Sequence, residues 1–146
     1  MPIEELTPEA AKKILDENVE AIYLDVRSIP EFEAEHPEGA INIPILHQDP
    51  SGSMVPNPDF EAVVEANLST EKVLVVGCLR GGRSMKACLI LETLGFDNLY
   101  NVIGGFGGVM DPRTGQVTQA GWKDCNLPTS CEPVPGARYE ELKDKV

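Results

Sequence analysis

The sequence predicts an α/β domain: a parallel sheet with helices on both faces. Two observations carry this. Strand-like apolar runs at 21–26, 41–44, 72–77 and 98–103 alternate with helical patterns along the chain. The run from Lys72 to Gly77 is also the most strongly apolar, and it is continuous rather than alternating. That is expected of a central parallel strand covered on both sides.

The elements follow in order. Thr7-Pro8-Glu9 opens a helix with a hydroxyl cap, a proline in the first turn and an acid behind it, and Ala11, Ile14 and Leu15 give it an apolar face. Ala21 to Val26 reads as a mostly buried strand. Ser28 to Gly39 is polar, is interrupted by Pro30 and Pro37, and holds a helical turn around Glu31 to Glu35. Ile41-Asn42-Ile43-Pro44 is a short strand closed by proline, and Leu46 to Pro56 is read as a loop. Asn57-Pro58-Asp59 starts a second helix that runs to about Asn67. A helix over Ser84–Leu94 is stopped by Gly95, and a strand over Asn98–Ile103 runs into Gly104-Gly105-Phe106-Gly107-Gly108. From Asp111 the chain reads as irregular, with a short terminal helix over Arg138–Lys145.

The 146 residues are expected to form one domain, 1–146. The net charge of −12 leaves no basic face for phosphate neutralisation, so no nucleic-acid partner is expected. No apolar run is long enough to cross a membrane, and no membrane partner is expected. Met1-Pro2-Ile3-Glu4-Glu5 lacks the basic and apolar regions of a secretory leader, so a cytoplasmic location is the expectation for a chain that begins here. Cys78, Cys88, Cys125 and Cys131 form no C-x-x-C pair, and His36 and His47 are the only histidines. No metal site and no cofactor are expected.

The chemistry concentrates at Cys78. The central strand ends on it, and Leu79-Arg80-Gly81-Gly82-Arg83-Ser84 leads into the next helix. In open α/β sheets the functional crevice lies at the carboxyl ends of the strands. Gly81 and Gly82 permit the backbone turns that aim several N–H groups inward, and the helix start adds its unsatisfied donors. A thiol beside arginines and a helix N-terminus is the environment in which cysteine becomes a nucleophile. A small core cysteine would need none of these features. Neither His36 nor His47 is near in sequence, and nothing assigns either as a general base.

These residues resemble the single-domain form of the rhodanese family of sulfurtransferases. Tyr23-Leu24-Asp25-Val26-Arg27-Ser28, Glu31-Phe32, His36, Gly39-Ala40 and Asn42-Ile43-Pro44 are similar to the family's N-terminal signature. Cys78 to Ser84 is similar to the active-site loop C-x-x-G-x-R-S. Asn98 to Gly105 is similar to the strand and diglycine before the family's last short helix. The resemblance spans about 5–128, leaving 129–146 as an irregular C-terminal tail. Two departures stand out: Glu35-His36-Pro37-Glu38 replaces the usual Gly-His-Ile-Pro, and Phe106-Gly107-Gly108-Val109 stands where many members have a tryptophan nearby.

The resemblance implies a three-layer domain around a five-stranded parallel sheet and a thiosulfate-type sulfurtransferase. Cys78 would take a sulfane sulfur as a persulfide, with Arg83 stabilising the anionic donor. Leu79, Arg80, Gly81, Gly82 and Ser84 would line the substrate site. Asp25, Arg27 and Glu31 would support it from behind. The implied partners are a small anionic sulfur donor and an acceptor: cyanide, or a thiol such as glutathione, thioredoxin or a relay protein. Cys88 reads as core. Cys125 and Cys131 would resolve a persulfide only if the tail folded over the pocket.

Two other classes stay open. A phosphatase or arsenate reductase of the same fold uses a longer loop, C-x5-R, whose arginine would fall where Ser84 stands. The other class is a non-catalytic rhodanese-like module that binds a partner or senses stress, usually marked by loss of the cysteine.

Overall fold

The computed structural model describes residues 3–146. Met1 and Pro2, the start of the stretch read for a leader, lie outside them. The elements are β1 (Ile3–Leu6), α1 (Pro8–Glu17), β2 (Ile22–Asp25), α2 (Ile29–Ala34), β3 (His36–Pro37), β4 (Ile41–Asn42), β5 (Leu46–Gln48), β6 (Met54–Pro56), α3 (Phe60–Asn67), β7 (Leu74–Gly77), α4 (Gly82–Thr93), β8 (Leu99–Val102), β9 (Val109–Met110), β10 (Val117–Gln119), β11 (Thr129–Ser130) and α5 (Tyr139–Lys143). Five strands form one parallel sheet in the order β1-β8-β7-β2-β4, so β7 is central as its apolar run predicts.

Strand alternation sorts the core into two layers. Leu74 and Val76 of β7, with Leu24 and Val26, meet Phe60, Val63 and Val64 from α3 and Ala87, Cys88 and Leu91 from α4. On the opposite face Val75 and Tyr23 pack with Ala11 of α1, Phe32 of α2 and Trp122. The same alternation places Cys78 on the α3–α4 side. It turns Gly77 to the other side, where the Tyr23 ring leaves no room for a Cβ.

Local chemistry explains the helix starts. The Thr7 hydroxyl accepts from the Ala10 N–H at 3.2 Å, with Pro8 in the first turn of α1. At α2 the Glu31 carboxylate accepts from both the N–H and the hydroxyl of Ser28. This helix starts at Ile29, earlier than the turn read around Glu31.

The structure differs from the sequence reading elsewhere too. β1 was not visible as a strand: Glu4 and Glu5 give it little apolar signal, and pairing with β8 at the sheet edge makes it one. The stretch read as a loop from Leu46 to Pro56 is a hairpin of β5 and β6. α4 begins at Gly82 rather than Ser84, because Gly81 takes a φ of +115° and already caps the helix. The segment from Thr129, read as an irregular tail, is a packed strap. β11 pairs with β3, and the Ala137 carbonyl accepts from the Asn42 N–H. The strap ends in α5, where Tyr139 and Leu142 are buried beside α3.

Candidate active site

The site lies at the carboxyl end of β7. Cys78 is 2% exposed. Its Sγ accepts from the Gly81 N–H at 3.0 Å, and its thiol donates to Ser84 Oγ at 3.4 Å. The left-handed φ of Gly81 aims that N–H at the sulfur. α4 then points its first-turn donors back over the loop, which favours negative charge there.

The loop is anchored from the other side by the turn after β8. The N–H groups of Phe106 and Gly107 donate to the carbonyls of Cys78 and Leu79 at 2.7 and 2.9 Å. Gly105 makes this approach possible: a Cβ there would overlap the Cys78 carbonyl and lie 2.6 Å from the Leu79 carbonyl carbon. Sequence reasoning noted the glycines but not this latch, whose two strands are joined only by the sheet.

Ser84 is fully buried, and its hydroxyl donates to Asn101 Oδ1 on β8 at 2.5 Å. Asn101 in turn donates from Nδ2 to Glu5 Oε2 on β1 at 3.3 Å. Asn101 therefore belongs to the site, although it was not among the residues singled out. The available signal was a polar side chain in the middle of an otherwise apolar strand.

The two arginines of the loop have different settings. Arg80 is exposed at the loop tip. Arg83 donates from Nη1 and Nη2 to the two carboxylate oxygens of Glu31 at 2.8 and 3.0 Å. This pair leaves three of the five guanidinium donors uncommitted. Partial burial pushes the Glu31 carboxyl up, but its bonds from Arg83 and Ser28 outweigh this and hold it at about 2. The bond to Glu31 likewise raises Arg83 above its ordinary value.

Asp25 and Arg27 form a buried pair, with Arg27 Nη2 2.8 Å and Nε 3.0 Å from the carboxylate. Arg27 also donates to the Glu35 carbonyl at 2.6 Å, and its guanidinium lies 4.4 Å from the Phe106 ring centroid. The pair thus braces β2, α2 and the turn after β8 beneath the site.

The histidines and the other cysteines have different settings. His36 is buried, its ring stacked on Phe32 and its Nδ1 2.8 Å from the Phe32 carbonyl. His47 packs edge-on against Tyr139. The Cys88 thiol is pushed up to about 12, chiefly by burial, which suits a core side chain. The strap carrying Cys131 bonds to β3, β4, α2 and α3 rather than to the Cys78 loop. All four cysteines are free. Among the described residues no helix is long and apolar enough to cross a membrane.

A buried cysteine thus stands at the end of the central parallel strand, with the Gly81 N–H on its sulfur and the start of α4 beside it. The sequence model of the rhodanese-like domain matches residues 7–111, and the chain belongs to the rhodanese-like domain family. It is 42% identical over 84 residues to "Thiosulfate sulfurtransferase 16, chloroplastic" of Arabidopsis thaliana, covering 58% of this chain and 69% of that protein. It is 38% identical over 89 residues to "Protein HIGH ARSENIC CONTENT 1, mitochondrial" of the same plant, covering 61% of this chain but only 52% of the relative. The crystal structure of Rv0390 from M. tuberculosis shares the fold, with a TM-score of 0.74, 24% identity and coverage of 88% of this chain and 98% of that one.

Proposed function

We propose that this protein is a thiosulfate-type sulfurtransferase working through a persulfide on Cys78. The observation that carries the reading is the Gly81 N–H on Cys78 Sγ at 3.0 Å inside a short loop that ends in a helix start. A backbone donor on the sulfur beside a helix start suits a sulfur anion, and the relative named a thiosulfate sulfurtransferase points the same way.

In the forward step the Cys78 thiolate attacks the outer sulfur of thiosulfate. The bond between the two donor sulfurs breaks, sulfite leaves with the electron pair, and Cys78 holds the persulfide. The loop donors from Leu79 to Ser84 receive the terminal sulfur, and Arg83 faces the donor with its uncommitted N–H groups. An acceptor, either cyanide or a thiol such as glutathione, thioredoxin or a relay protein, then removes that sulfur in a second half-reaction. Any reducing compartment, the cytoplasm included, would keep the free cysteines available.

The test is thiocyanate formation from thiosulfate and cyanide, with Cys78→Ser as control. The expected result is turnover by the parent, none by the variant, and a mass gain of one sulfur on the Cys78 peptide after thiosulfate alone. Equal turnover by the variant overturns the mechanism. Hydrolysis of an aryl phosphate without sulfur transfer would replace it with a phosphatase.

A further inference from the structure

Ile3, Leu99 and Leu74 lie side by side across β1, β8 and β7 and form an apolar row. Two residues further along the same face the row changes: Glu5 stands beside Asn101, which stands beside Val76. Glu5 is exposed at the sheet edge, while Asn101 is buried and meets Ser84 of α4. A buried polar side chain is costly unless it is bonded, and the bonds of this one end at Cys78.

Those bonds have a direction. A carboxylate only accepts, so Glu5 Oε2 takes the Asn101 amide by its N–H at 3.3 Å and turns the amide oxygen toward Ser84. That oxygen takes the Ser84 hydroxyl proton at 2.5 Å. The Gly81 carbonyl, 3.1 Å away, is the hydroxyl's other acceptor, and it too draws the proton away from the sulfur. With its one proton committed, Ser84 Oγ has only lone pairs for Cys78, and it accepts from the thiol at 3.4 Å. Each donor in the chain therefore points from the sulfur toward Glu5.

A thiolate at Cys78 thus keeps the Gly81 N–H but receives no donor from Ser84. A thiolate stabilised less is the stronger nucleophile. Without the Glu5 carboxylate the amide is free to turn its N–H to Ser84 Oγ. The hydroxyl proton then turns to the sulfur, where an anion is the stronger acceptor. We propose that Glu5 is a positioning residue for the nucleophile: from the edge strand it fixes the Asn101 amide and so keeps the Ser84 proton off the Cys78 sulfur. The proposal rests on Cys78 as the nucleophile and not on the identity of its sulfur donor. The other charged or titratable groups whose fields meet at Cys78 are Arg83 and Cys88 of α4 and Tyr23 of β2, with Glu31 paired to Arg83 and Asp25 to Arg27.

The test is alkylation by iodoacetamide across pH, followed by mass spectrometry on the Cys78 peptide so that the other cysteines do not enter. The chains are the parent, Glu5→Gln, Glu4→Gln, Ser84→Ala and Glu5→Gln with Ser84→Ala. Glu5→Gln keeps an amide oxygen at an exposed position, and Glu4→Gln changes an exposed acid on the opposite face of β1. Glu5→Gln is expected to move the profile to lower pH, because the anion gains a donor, and to lower the rate on the alkaline plateau about threefold. Glu4→Gln is expected to change neither, and Glu5→Gln is expected to add nothing in the Ser84→Ala chain. A profile and plateau that ignore Glu5→Gln overturn the proposal. So does a response that persists in the Ser84→Ala chain or that Glu4→Gln reproduces, since either makes it an effect of charge alone. Thiocyanate formation is measured on the same chains. Its absence, with alkylation as expected, removes the sulfur-transfer reading alone. Its presence, with alkylation indifferent to Glu5→Gln, removes the role of Glu5 alone.

Discussion

Arg83 and Glu31, fifty-two residues apart, meet in a two-pronged ion pair that ties the start of α4 to α2 beside the Cys78 loop. Neither side chain is free to swing: Glu31 also accepts from Ser28, so the arginine is held by a carboxylate that is itself held. A planar guanidinium matched to a carboxylate in this way fixes direction as well as charge.

Glu31→Gln tests this tie by its pH dependence. The Glu31 carboxyl is held at about 2 in the folded protein, below its ordinary 4.5. A depressed carboxyl contributes stability that is present above the unfolded value and is lost as pH falls toward the folded one. The parent's advantage over Glu31→Gln in urea melts is therefore expected to be constant above about pH 5 and to shrink on acidification toward pH 2. The pair is partly solvated, so that advantage is on the order of 1 kcal/mol. An advantage that does not change with pH would show that the charge on Glu31 contributes nothing to it.

Ser84 and Asn101 are expected to act as one unit at Cys78. Ser84→Ala removes the hydroxyl that touches the sulfur and strands the buried Asn101 oxygen, and Asn101→Ala frees the Ser84 hydroxyl to turn. Each single variant should lose about tenfold in kcat/KM for sulfur transfer, the scale of one buried hydrogen bond. The double variant should lose little more than either one. Additive losses would mean that the two side chains do not communicate.

Gly77→Ala should destabilise the fold by about 1–3 kcal/mol, the scale of core overpacking. The new methyl would overlap the Tyr23 hydroxyl and lie 2.6 Å from its Cζ. Tyr23→Phe in the same chain removes the worst overlap and should restore part of the loss in thermal melts. No restoration would place the strain somewhere other than the tyrosine.

A chain ending at Pro128 should lose several kcal/mol of stability. It would uncover the surfaces that Tyr139 and Leu142 cover and would leave the Asn42 N–H and the Asn67 amide without their strap carbonyls. Burying one large apolar side chain contributes about 1.5–3 kcal/mol, so these two account for most of the effect. A denaturant midpoint like that of the full chain would show that the strap only decorates the surface.

The sequence by itself determined whatever is local. The apolar run of β7, the cysteine at its end, the glycine turn and the following helix are encoded within a dozen consecutive residues, because periodicity and backbone freedom act over short distances. Thr7 and Pro8 announced α1 for the same reason. Only the tertiary structure decided which distant residues complete the site. Glu31 reaches Arg83, Asn101 reaches Ser84, and Phe106 latches the Cys78 carbonyl because a parallel sheet brings strand ends together that the chain keeps far apart. β1, rich in acids, is a strand only because β8 offers it an edge. The strap after Pro128 is ordered only because α3 and β4 offer it surfaces.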